Sequence, residues 1–139
     1  MFSGKVVVVT GAAGALGRAV FNHFADAGAK VVALDVSDAM LSSAFPERDE
    51  RHGYYAVDLT DRRNCAQVLA EVINDFGAVD VLCNIAGGFM MGEAVHETTD
   101  RTWDFLFDLN TRSIVNTASV CVPQMLTQGS GKIINIALT

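Results

Sequence analysis

The sequence predicts an α/β protein, a doubly wound parallel sheet held between two layers of helices in an α/β/α sandwich. Apolar runs of strand length alternate with stretches in which apolar residues recur every three or four positions. Glycines punctuate these segments, while the 2 prolines, Pro46 and Pro123, leave most of them intact. The first run, Val6 to Val9, has no polar residue, as expected of a parallel strand covered on both faces. Strands separated by helices imply right-handed crossovers and parallel pairing.

The elements follow in order. Lys5 to Thr10 is the first strand. From Ala15 to Ala27 the period changes, and Leu16, Ala19, Val20, Phe24 and Ala27 make one helical stripe that Gly28 ends. Lys30 to Asp35 is the second strand. Ser37 can cap a short helix that reaches Phe45 and stops at Pro46. Gly53 to Leu59 is the third strand. Thr60 can cap the next helix, whose apolar face is Cys65, Val68, Leu69, Val72, Ile73 and Phe76, with Gly77 placed for a left-handed C-terminal residue. Val79 to Gly88 is a fourth strand running into a glycine turn. Thr99 to Met125 reads as helix with a break near Asp108, and Pro123 should bend or end its last turns. Gly131 to Ala137 is the fifth strand.

Composition narrows the function. A chain of 139 residues suits one domain, and with half its residues hydrophobic it can bury a real core. A net charge of −6, spread along the chain, argues against nucleic acid or an anionic membrane as partner. No apolar run approaches the roughly 20 residues needed to span a bilayer, and no targeting segment is visible. Cys65, Cys83 and Cys121 are odd in number and widely spaced, as expected of buried thiols in a reducing cytoplasm. His23, His52 and His96 have no partner at metal-ligand spacing, so no metal is expected. No Gly-x-Ser-x-Gly elbow and no Gly-Lys-Ser/Thr phosphate loop is present.

The stretch TGAAGALG, Thr10 to Gly17, carries the chemistry. Gly11 permits a tight turn, Ala12, Ala13, Gly14 and Ala15 keep side chains out of the way, and Gly17 lets the helix pack closely. Free N–H groups and the positive helix end then face open space, which suits a pyrophosphate. Asp35 ends the next strand, near the 20-residue separation at which an acid meets the ribose hydroxyls of a dinucleotide. Its charge would repel a 2′-phosphate, so NAD(H) is expected over NADP(H). The Gly87–Gly88 turn also falls at a strand's carboxyl end, where ligands of such sheets bind.

With these residues in view, the chain resembles the short-chain dehydrogenases/reductases from Lys5 to Ala137. TGAAGALG is similar to the family's Thr-Gly-x-x-x-Gly-x-Gly, with Ala15 at the middle glycine. Asp58 of VDL stands where the family contacts the adenine amino group. NIAG, Asn84 to Gly87, resembles Asn-Asn-Ala-Gly with Ile85 at the second Asn, and the segment from Asp108 resembles the family's long interface helix. The resemblance implies a Rossmann-like fold and hydride transfer between a nicotinamide and a small alcohol or carbonyl substrate. It also implies a homodimer or homotetramer formed through the 108–127 helix. The expected cofactor contacts are Gly11, Ala13, Gly14, Ala15, Leu16, Gly17, Asp35, Asp58, Leu59, Asn84, Ala86 and Gly87. The expected catalytic residue is Asn110, whose backbone carbonyl holds a water in the family's proton relay. The Phe89–Met91 loop would border the substrate, and Trp103 with Phe107 would lie in the core or an interface.

Two departures stand out. The family's Ser sits three residues after Asn135, where this chain has Leu138, with Thr139 next to it. A branch resembling dihydropteridine reductase also lacks that Ser. The family's Tyr-x-x-x-Lys pair is absent, because Tyr54 and Tyr55 are the only tyrosines and are followed at that spacing by Asp58 and Leu59. The expectation is a dinucleotide-binding domain over 1–139 that is incomplete at its C-terminal side and prone to associate. The alternative is a nucleotide-binding module without catalysis.

Overall fold

The computed structural model describes residues 1–90 and 92–137. Its element order is β1 (Val6–Thr10), α1 (Ala15–Asp26), β2 (Lys30–Asp35), α2 (Asp38–Ala44), β3 (Gly53–Ala56), α3 (Arg62–Phe76), β4 (Val81–Asn84), α4 (Asp100–Phe107), α5 (Ser113–Gln128) and β5 (Lys132–Asn135). The sheet has order β3-β2-β1-β4-β5 and every pair is parallel. The order of strand addition switches sides of the sheet between β1 and β4, which opens a crevice at their carboxyl ends.

Alternation along β1 divides the core. Val7 and Val9 face Phe21 of α1 and Leu41 and Phe45 of the α2 region. Val6 and Val8 face Leu69 and Val72 of α3 and Cys121 and Met125 of α5. β1 is thus covered on both faces, as its unbroken valine run demands.

Most boundaries follow the sequence pattern. Ser37 caps α2 by accepting from the Met40 N–H at 3.2 Å, and Gly77 closes α3 at φ 78°. Four readings are corrected. Asp61 caps α3, accepting from Arg63 and Asn64 N–H, because the Thr60 hydroxyl is spent on Asp58 at 2.6 Å. The buried side of α1 is Gly17 and Phe21, while Leu16 is 50% exposed, since Gly17 must face the preceding turn. The third strand ends at Ala56, its last bond to β2 being from the Val57 N–H to the Asp35 carbonyl at 2.8 Å, before the chain turns at Asp58. Pro123 does not end α5, which runs on to Gln128 and a left-handed Gly129. The expected break at Asp108 is a π-helical turn over Asp108–Arg112, which widens the helix around Asn110.

Candidate functional site

The glycine turn is built by its own backbone. Gly11 adopts φ +62°, and a Cβ there would lie 2.9 Å from Ala86 Cα, so this position brings the β1 and β4 loops into contact. A Cβ at Gly17 would overlap the Gly11 carbonyl oxygen and sit 2.7 Å from Ala12 Cα. The close approach is thus of the helix to its own turn. At Gly14 nothing but the Gly11 oxygen, at 3.4 Å, lies near a Cβ, and the residue is exposed. The chain's own packing therefore does not demand glycine there, and the position faces open space. Gly14 caps α1 without a side-chain bond, and no bond among the described residues takes up the N–H groups of Ala15, Leu16 and Gly17. These three donors and the helix dipole fit a pyrophosphate.

Asp35 is 8% exposed. Its Oδ2 accepts from the Ala13 N–H at 2.9 Å and its Oδ1 from the Val36 N–H at 2.7 Å. The Ala13 N–H is thus not among the free donors. Asp35 fixes the turn, and the lone pairs that remain on its two oxygens can still accept ribose hydroxyls. Asp58 is exposed at the end of β3, and its Oδ1 holds the Thr60 N–H and hydroxyl. Leu59 is buried in the core, and its carbonyl accepts from Asn116 Nδ2 at 2.8 Å.

Thr10, 1% exposed, was not singled out in the sequence. Its Oγ1 accepts from the Ile85 and Ala86 N–H groups at 2.9 and 3.0 Å, which ties the end of β1 to the loop after β4. Asn84 is also buried and faces inward. Its Nδ2 donates to Asn135 Oδ1 at 2.9 Å, and its Oδ1 accepts from the Thr117 hydroxyl at 2.8 Å, so one amide joins β4, β5 and α5. Asn116 and Thr117 were also missed; their signal is an adjacent polar pair ahead of the apolar Cys121 and Met125 on the buried face of α5, with Ser113 one turn earlier.

Asn110 clamps the glycine loop. Its Oδ1 accepts from the Gly88 N–H at 3.0 Å, and its Nδ2 donates to the Gly88 and Leu106 carbonyls at 2.9 Å each. A Cβ on Gly87 would lie 2.7 Å from that Oδ1, so the loop can approach only without side chains. Asn110, Gly87, Gly88, Asn135 and Ile136 share a cleft of about 730 Å³ at the carboxyl ends of β4 and β5. The expected Ser position, Leu138, along with Thr139 and Met91, lies outside the described residues.

Other candidates fall away on chemistry. Burial pushes the Cys65 and Cys83 thiols to about 11 and the Cys121 thiol to about 12, far from thiolate formation at neutral pH. The Tyr55 hydroxyl donates to Asp75 at 2.7 Å, and burial with that carboxylate raises its pKa, so it is no proton donor to the cleft. Among the described residues no group of three or more His, Cys, Asp or Glu could hold a metal, and no helix is long and apolar enough to cross a membrane. Trp103 and Phe107 stack at 4.4 Å on the surface of α4, 57% and 49% exposed, so the core expectation for them is corrected.

Comparison with known proteins agrees with this geometry. Residues 5–138 match the family model for short chain dehydrogenases. A 3-oxoacyl-[acyl-carrier-protein] reductase of Thermotoga maritima is 33% identical over 137 residues, covering 96% of this chain and 55% of that protein. An NAD-dependent glycerol dehydrogenase of Listeria innocua is 33% identical over 133 residues, with 96% and 52% covered. A short-chain dehydrogenase structure from Streptomyces avermitilis superposes with TM-score 0.90 at 34% identity, over 99% of this chain and 50% of that one. A metagenomic short-chain oxidoreductase in complex with NADP gives 0.91 at 28%, with 99% and 64% covered. The chain spans about half the length of the curated relatives it matches. Turn, sheet order and family match agree, and the chain belongs to the short-chain dehydrogenase/reductase family.

Proposed function

We propose that this chain is the nucleotide-binding part of an NAD(H)-dependent oxidoreductase acting on an alcohol or carbonyl substrate. One observation carries the reading: three free N–H groups at the start of α1 lie beside an open Gly14, with a buried carboxylate, Asp35, fixed to the same turn. Bound nicotinamide would accept or give a hydride at the substrate carbon; the protein's part is to bind, orient and exclude water. Ala15, Leu16 and Gly17 would hold the pyrophosphate from the α1 end of the turn, with Gly11, Ala13 and Gly14 shaping it. Asp35 would take the adenosine ribose, Asp58 and Leu59 would border the adenine, and Asn84, Ala86 and Gly87 would border the nicotinamide side. Asn110 is the proposed catalytic residue, its clamp on Gly88 holding the loop beside the water that its carbonyl would carry.

Relatives use both cofactors: a xylitol dehydrogenase structure holds NAD+, and the metagenomic oxidoreductase holds NADP. Asp35 favours NAD here, because a 2′-phosphate would meet a carboxylate that is 8% exposed. A cytoplasmic setting and a homodimer or homotetramer through the 108–127 helix complete the reading. Its support is three free buried cysteines and the exposed Val115 and Leu126 on that helix. The alternative is a module that binds nucleotide without turnover; within this chain both tyrosines lie in β3, and Tyr55 is committed to Asp75.

Fluorescence titration with NADH and NADPH tests the proposal. NADH should bind more tightly, and Asp35→Ala should weaken NADH about tenfold, the scale of one charge-assisted hydrogen bond, while narrowing the gap to NADPH. Unchanged preference in the variant would place the ribose elsewhere. With nucleotide bound, oxidation of a panel of alcohols separates the enzyme from the silent module.

A further inference from the structure

Among the described residues the cleft beside Asn110 is lined by no ionisable side chain; its polar side chains are Asn110 and Asn135, and Ile85, Phe89, Leu106 and Ile114 form much of the rest. A second cleft, about 340 Å³, shares Phe89 and Leu106 with it. There Met90 continues the apolar surface, Thr98 and Thr102 add hydroxyls, and Glu93 supplies the one ionisable group among the described residues of either lining. Phe89, the common wall, is 72% exposed.

From this surface we infer the substrate class: an uncharged alcohol or carbonyl compound whose apolar body of several carbons lies across Phe89 and Leu106, with Glu93 rejecting anionic tails. The inference rests on the dehydrogenase reading, which puts the reacting carbon near Asn110. An apolar body gains by covering the wall. A carboxylate, sulfonate or phosphate tail would lose hydration there and find no Lys, Arg or His among the lining residues, only the like charge of Glu93. Net charge of −6 on the chain works in the same direction. Discrimination then comes from a repulsive element as well as an attractive one.

Calorimetric titration of the protein with octanamide and with octanoate at pH 7.5, with and without NADH, tests this. The two probes share an apolar tail and differ in charge. Octanamide should bind at least about fivefold more tightly, the size of a partly screened like-charge contact. Glu93→Gln, an exposed substitution checked for fold by circular dichroism, should bring the ratio close to one. Octanoate binding as tightly as octanamide, an unchanged ratio in Glu93→Gln, or no binding of either probe would overturn the inference. Nicotinamide fluorescence, recorded on the same samples, reads the parent proposal separately. Discrimination without NADH binding would sink the dehydrogenase reading and with it the substrate role, leaving a charge-selective apolar site, whereas NADH binding without discrimination would sink only the substrate class.

Discussion

A hydrogen atom is the whole side chain at position 17, and the glycine turn is shaped around it. Gly17→Ala would drive a methyl into the Gly11 carbonyl. The expected result is loss of NADH binding with about 1–3 kcal/mol of destabilisation, the usual cost of overpacking, read by fluorescence titration and urea unfolding. Gly14→Ala meets only an ordinary contact inside the chain, so it should leave the unfolding midpoint unchanged and weaken only the nucleotide. Thr10 works by acceptance. Thr10→Val keeps the shape and leaves the Ile85 and Ala86 N–H groups without their acceptor. A loss of about 1–3 kcal/mol is expected for such buried donors, with the urea midpoint as the measure. These residues differ in how far the sequence exposed them. The glycines could be read because a run of small residues between a strand and a helix has few other causes. Thr10 could not, since a threonine ending an apolar strand gives no sign that its hydroxyl reaches a loop 75 residues away. Asp35 was legible as an acid at a strand end, whereas its grip on the Ala13 N–H depends on how the turn folds back.

Elements were legible where periodicity and caps agreed and less so where a neighbour decided. The α3 face was read correctly because its apolar spacing is unbroken over three turns. The α1 stripe was rotated, because one steric demand, at Gly17, outranks the hydrophobicity of Leu16. Pro123 was overruled because α5 packs its Cys121 and Met125 against the sheet, and packing offsets a missing hydrogen bond. The join between β2 and β3 shows an element depending on a single side chain. His52 Nδ1 accepts from the Val31 N–H at 3.0 Å, next to Phe21. Burial lowers its pKa from 6.5; nearby Asp49 opposes the shift and Arg51 adds to it. The unfolded chain therefore takes up the proton first. Stability is fully present above about 6.5 and is lost as pH falls through the lower folded value. Urea midpoints measured from pH 7.5 to 5.0 should fall in the native sequence. They should fall less in His52→Gln, which titrates no imidazole; equal slopes would remove the role assigned to His52.

On the scale of the whole molecule, one edge of the sheet, at β5, is left exposed among the described residues. Parallel strands are normally buried on both faces, and β1 and β2 obey that rule, with Val7, Val8, Val9, Val31 and Val32 all at 0% exposure. β5 breaks it. Ile133, Ile134 and Ile136 are 38%, 43% and 47% exposed, and beside them an apolar groove of about 280 Å³ runs along α1 past Val20 and Phe24. The sequence pattern of β5 is that of a covered strand, so its exposure could not be read from residues 131–137 alone. An unpaired apolar edge of this kind templates pairing with another chain. The 139-residue chain should therefore self-associate in a concentration-dependent way, as sedimentation velocity would show. Like-charge repulsion from the net −6 opposes association, and it weakens as the screening length drops from about 10 Å at 0.1 M salt to about 3 Å at 1 M. Association should accordingly strengthen with salt. Ile134→Lys puts a charge into the groove beside β5 and should return the chain to monomer with its circular dichroism intact. If the variant associates as strongly as the native sequence, the contact lies elsewhere, with the Trp103–Phe107 stack on α4 the next surface to test.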